Sequence, residues 1–112
     1  MDKIINLTPH AISVALVDSE EIVTVYQPSG VVARCAVSNE VAETVNNIPV
    51  SITKFGDITD LPEPEEGTIY LVSTPTAQAA KRKDVVAPNT GKDAIRNAAG
   101  QIIAVRGFQR FV

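Results

Sequence analysis

The chain contains no tryptophan, a single cysteine and a single histidine, and aromatic residues make up only 4% of its 112 positions. One cysteine excludes an internal disulfide, and Cys35 has neither a Cys-x-x-Cys partner nor a neighbouring Cys/His set for a metal. It lies in the alternating apolar run Val31 to Val37, where the expected role is that of a small buried hydrophobe. With so few aromatics, the core must be aliphatic, and a base-stacking nucleic-acid platform is disfavoured. The net charge of −3 and a pI near 5.0 also repel a phosphate backbone. No apolar stretch reaches the roughly 18 residues a membrane helix requires. Met1-Asp2-Lys3 leads straight into a strand-like run without a long apolar signal segment, so the expected location is the cytoplasm.

The sequence does hold short β-branched runs separated by turn chemistry. At 112 residues, 45% of them hydrophobic, residues 1–112 are expected to form a single globular β-rich domain. Lys3 to Leu7, Ala11 to Val17, Glu21 to Tyr26 and Val31 to Val37 read as strands. Between them stand Thr8-Pro9-His10, Asp18-Ser19-Glu20 and Gln27-Pro28-Ser29-Gly30 as interruptions or turns. The acidic residues and alanine of Asn39 to Val45 suit a short helix, whereas its Val and Thr suit a strand. Asn46-Asn47 decides for strand-turn-strand, because asparagine tolerates the positive φ of a two-residue hairpin, with Val50 to Phe55 returning. Gly56 to Gly67, with two prolines and five acidic residues, reads as a long solvated connection.

Thr68 to Val72 is the clearest core strand, and the segment after it carries the helix signals. Thr74 is placed as N-cap and Pro75 at the first helical position, with Lys81 and Arg82 in the last turn of a short helix over 75–82. Asp84 to Ala87 is a further strand, and Ala94 to Asn97 with Gln101 to Gly107 a closing hairpin around Ala98-Ala99-Gly100. The fold class is therefore α+β and predominantly antiparallel, a small barrel or sandwich with one short helix.

Two segments concentrate the polar chemistry. A strand running through Ser73-Thr74-Pro75-Thr76 into a helix aims hydroxyls and backbone N–H groups at one region, which favours an anion, although ordinary capping accounts for Thr74 by itself. It lacks the glycines of a Walker loop or a dinucleotide fingerprint. Lys81-Arg82-Lys83-Asp84 follows, and Arg82 has the forked guanidinium suited to a phosphate or carboxylate. Thr8-Pro9-His10 holds the only imidazole, which reads as a turn residue capping the backbone, as a ligand contact, or as a general base. The expected ligand-binding set is Thr8, His10, Ser73, Thr74, Thr76, Arg82 and Asp84, with no metal and no cofactor. No nucleophile elbow surrounds Ser73, so a catalytic role rests on His10 alone.

The opening Asn6-Leu7-Thr8-Pro9-His10-Ala11-Ile12 resembles the start of a widespread family of small phage and prophage proteins. The similarity continues through Pro28-Ser29-Gly30, Ile48-Pro49-Val50, Leu61-Pro62-Glu63-Pro64, Gly67 to Ser73, Arg82 to Pro88 and Gly100 to Ile103. It implies phage origin and a bacterial host cytoplasm. In that setting the expected function is an accessory, anti-defence role: sequestration without chemistry of an anionic, nucleotide-like molecule. Two alternatives stand beside it. One is a protein-protein inhibitor or virion-associated structural module; the other is a metal-independent phosphodiesterase or hydrolase using His10. Limited core volume and open strand edges further predict a homo-oligomer.

Overall fold

The run Thr68–Leu71 (β6) is β-branched, aromatic and aliphatic without polar alternation, the signature of a strand covered on both sides. In the computed structural model, which describes residues 3–15, 21–91 and 94–112, it lies inside a four-stranded sheet. Its neighbours are Lys3–Asn6 (β1) and Val85–Pro88 (β7), both parallel to it; Phe108–Gln109 (β10) pairs antiparallel with β7. β6 and β7 are joined through Thr74–Ala80 (α1), and a parallel pair does need a crossover of about a dozen residues. The proline ending β7 sits where the ladder stops, so its missing N–H costs little.

The core collects on this sheet and the helix. Leu7, Tyr70, Val72, Ala77, Val85 and Ala87 form one buried cluster with Ala33, and Phe111, Leu61 and Ile5 pack against it. Only Tyr70 is aromatic among the buried members, as the composition requires.

The remaining strands form three antiparallel ribbons: Ile12–Ala15 (β2) with Ile22–Tyr26 (β3), Arg34–Val45 (β4) with Ile48–Thr59 (β5), and Ile95–Arg96 (β8) with Ile102–Ala104 (β9). Backbone bonds from Ala15 to Val105 and from Val105 to Ser13 tie the first ribbon to the third. The described residues are thus β-rich with one short helix and mostly antiparallel pairings. The strands among them make one mixed and three two-stranded sheets, and no closed barrel is found.

Several boundaries differ from the sequence expectation. Val31 to Ala33 is not strand; this stretch crosses the sheet end, with Ala33 donating to the Leu7 carbonyl. β4 and β5 run 12 residues each, so Gly56 to Thr59 belongs to β5 rather than to the connection. The hairpin turn is as expected: Asn46 and Asn47 take φ of 52° and 66°, the two positive values a type I′ turn demands. The helix covers 74–80, not 75–82. It stops because Lys81 turns left-handed at φ 50°, which places Arg82 beyond the helix and leaves no basic residue in its last turn. Residues 16 and 17 of the second expected strand, and the turn at 18–20, lie outside the described residues.

Candidate functional site

The Thr8-Pro9-His10 loop is built by Asn6, the last residue of β1. Its side chain is buried, and an amide in that position must place two donors and an acceptor. Nδ2 donates to the carbonyls of His10 and Tyr26, both at 2.8 Å. Oδ1 accepts from the Thr8 backbone N–H at 2.8 Å and from Thr8 Oγ1 at 2.6 Å. The Thr8 hydroxyl, with one proton, alternates between that oxygen and the His10 carbonyl 2.9 Å away. His10 is exposed and enters this network through its backbone N–H and carbonyl. The recurrence of polar residues at this loop is thus explained by backbone satisfaction, with Thr8 buried and committed.

At the other segment, Ser73 rather than Thr74 occupies the N-cap, and its side chain makes no cap bond. Ser73 Oγ instead lies 3.0 Å from Thr76 Oγ1, whose residue is fully buried. Pro75 stands at the helix start as anticipated. Thr74 is half-buried in the first turn.

These two segments meet. Thr8 and Pro9 face Ser73, Pro75 and Thr76 across a cavity of about 270 Å³. Its apolar floor is Leu7, Val32, Ala33 and Val37, and its third wall is Arg34 and Cys35 at the start of β4. Arg34 is the charged residue on this wall among the described residues, and it is exposed. Cys35 is half-buried and contributes to the lining, which corrects the expectation of a small buried hydrophobe. Cys35 is not enclosed because it pairs with Ile58 on a ribbon that has no sheet behind it.

Arg82 and Asp84 point elsewhere. Arg82 Nε and Nη2 clamp the Asp84 carboxylate at 3.0 and 2.6 Å, Nη1 donates to the Pro62 carbonyl at 3.1 Å, and the guanidinium lies 6.0 Å from the Tyr70 ring centre. The hydrogen bond from Arg82 holds the Asp84 carboxyl below its ordinary value, against an opposing push from burial. The same bond raises Arg82. Neither residue lines the cavity, nor do His10 and Thr74. Among the described residues no group of three or more His, Cys, Asp or Glu side chains is arranged to hold a metal ion.

Of the expected set, then, Thr8, Ser73 and Thr76 come together, while His10, Thr74, Arg82 and Asp84 lie outside the lining. Asn6 and Arg34 are the residues that sequence reasoning passed over, and Cys35 the one it placed in the core instead of at the site. Asn6 carried one signal, a polar residue closing an apolar strand. Arg34 lies inside the run Val31 to Val37, where no neighbouring residue marks it for a ligand. No family model, no curated protein and no solved structure matches this chain.

Proposed function

We propose that this protein is a small phage-encoded accessory protein, of the kind that blunts a host defence, which sequesters an anionic, nucleotide-like small molecule without chemistry. The observation that carries the reading is the cavity where the Thr8 loop, the Ser73–Thr76 hydroxyl pair and the Arg34 guanidinium converge. A volume of about 270 Å³ sits at the lower edge of small-molecule sites, which suits one compact anion or the phosphate-bearing part of a nucleotide. The apolar floor supplies contact area, and a few placed polar groups supply orientation. Binding rather than turnover is favoured because the hydroxyls are already engaged with protein partners and the imidazole of His10 is not in the lining. The resemblance carried by Asn6 to Ile12 and its companion segments sets the phage context. It also sets the working place, a bacterial cytoplasm, and the expectation that the chain acts as a homo-oligomer.

Calorimetric titration with inorganic phosphate, nucleoside monophosphates, ADP-ribose and cyclic dinucleotides tests the reading. One class is expected to bind. Arg34→Ala should weaken it roughly tenfold to 100-fold, the worth of one hydrogen bond to a charged group, while His10→Ala leaves affinity unchanged. Absence of binding by every probe, or wild-type affinity in Arg34→Ala, overturns it. Release of product from a bound nucleotide that disappears in His10→Ala would instead establish the hydrolase alternative.

A further inference from the structure

The β4–β5 ribbon is long and apolar, and beyond its base, which packs against α1, it is uncovered. Its 12-residue strands extend about 40 Å, yet neither strand contributes a residue to the core cluster. Eleven of the 12 residues of β4, all but Cys35, and eleven of the 12 of β5, all but Ile58, are exposed. A two-stranded hairpin is marginal by itself in water, so the part of this one that extends past α1 needs a surface to lie on.

Strand register sorts its side chains into two faces. Val37, Val41 and Phe55 share one with the Asn39–Thr53 hydrogen bond. Ile52, Val50, Val45 and Ile48 share the other with Glu43, which stands opposite Val50, and with the Lys54–Glu40 ion pair; Ile48 is 65% and Ile52 50% exposed. A β-bulge at Ala42, between the Val41 and Glu43 pairings, raises local twist and curls the tip. Pro49 removes a backbone donor from β5, a device that blunts edge-to-edge pairing and leaves the faces as the contact surface.

The surface of the whole chain says how much is left uncovered. Its radius of gyration is 16.2 Å, against about 13 Å for a compact domain of this length. Its accessible surface is 7497 Å², against about 6,000 Å² for a compact monomer of its mass. The excess is about 1,500 Å² per chain, or about 3,000 Å² for two, which falls within the range of obligate homodimer interfaces.

We infer that the β4–β5 arm is a self-association arm, whose Val45, Ile48, Val50 and Ile52 face is covered by a second copy of this chain. Charge supports that occupant. Between Val37 and Phe55 the arm carries Glu40, Glu43 and Lys54 alone, and Lys54 is taken by Glu40 at 2.9 Å. That leaves no basic surface for a nucleic acid or an anionic membrane, and one net negative charge, that of Glu43, on the face of each copy. The inference is independent of the ligand reading, although Val37 at the arm's base also lines the cavity.

Sedimentation equilibrium of the full chain, from low to high micromolar, tests it. The expected mass is at least twice the 11.9 kDa of one chain. Ile48→Ser with Ile52→Ser should weaken association roughly 100-fold, because in an isologous contact each change occurs twice. Far-UV circular dichroism checks that this variant stays folded. If it does not fold, hydrogen exchange of the wild type decides: arm amides should gain protection as concentration rises. A wild type that remains monomeric at every concentration overturns the inference, whether it then binds vesicles, a different protein or neither. So does an oligomer that persists at full affinity in the variant, or whose arm amides stay unprotected.

Discussion

The β4–β5 arm and the four-stranded sheet draw on the same aliphatic and β-branched residues, yet they bury them in opposite ways. β6 hides Tyr70 and Leu71 between two flanking strands and beside α1, whereas the arm holds Val41 and Ile48 almost two-thirds exposed. Propensity therefore makes both strands, and only tertiary partners make one of them a core. The comparison also separates two sources of stability: packing within one chain at the sheet and, on the inferred self-association, packing between chains at the arm. Truncating a side chain in each region tests that separation. In the Ile48→Ser, Ile52→Ser background, where the arm stands free, Leu71→Ala should cost about 2–5 kcal/mol of unfolding free energy. Val41→Ala in the same background should stay within about 0.5 kcal/mol. Equal losses in urea denaturation would erase the distinction.

How much of this could be seen beforehand follows the same division. Local signals were legible: Asn46-Asn47 announced the hairpin through the conformations asparagine tolerates, and the unbroken run of Thr68 to Val72 announced a core strand. Long-range pairing was not. Nothing local in Lys3 to Asn6 says that it lies parallel to Thr68 to Leu71 across more than sixty residues of chain, and that pairing is what delivers the Thr8 loop to Ser73 and Thr76. Arg34 escaped notice for the same reason, since its worth comes from standing opposite those two segments. Arg82, conversely, carried the stronger sequence signal for an anion and found one within its own chain, in Asp84. Sequence proximity of a basic run to a helix start was therefore a poor guide to which cation faces the cavity.

Two ion pairs among the described residues repeat the regional contrast in electrostatics. Arg82–Asp84 is bidentate and about three-quarters buried against the sheet, and Arg82 also satisfies the Pro62 carbonyl. Arg82→Met should lower stability by about 1–3 kcal/mol, the scale of a charge-assisted pair with one partner stranded. Its pH dependence has a definite sign. Asp84 is held below its ordinary value in the folded chain, so the contribution is fully present above about pH 4, the unfolded carboxylate value. It is lost as pH falls through the lower folded value. The gap between wild type and Arg82→Met should accordingly narrow in acid, as read from denaturation midpoints; a gap that is constant down to the acid transition would show that the pair acts through packing alone.

Lys54–Glu40 is the counterpart on the arm, with both side chains more than half exposed at a separation of 2.9 Å. Water and salt screen such a pair, and holding two long side chains in one geometry consumes rotamer entropy. Glu40→Gln in the Ile48→Ser, Ile52→Ser background should thus change unfolding free energy by less than about 0.5 kcal/mol, and high salt should remove even that. In the wild type the outcome depends on what covers the arm. Glu40 shares its face with Ile52 and Val50, so a second copy seated there would exclude water from the pair and raise the cost of breaking it. A Glu40→Gln effect that is larger in the wild type than in the double-serine background, and that grows with protein concentration, follows only if the exposed face of the arm is the one that association buries.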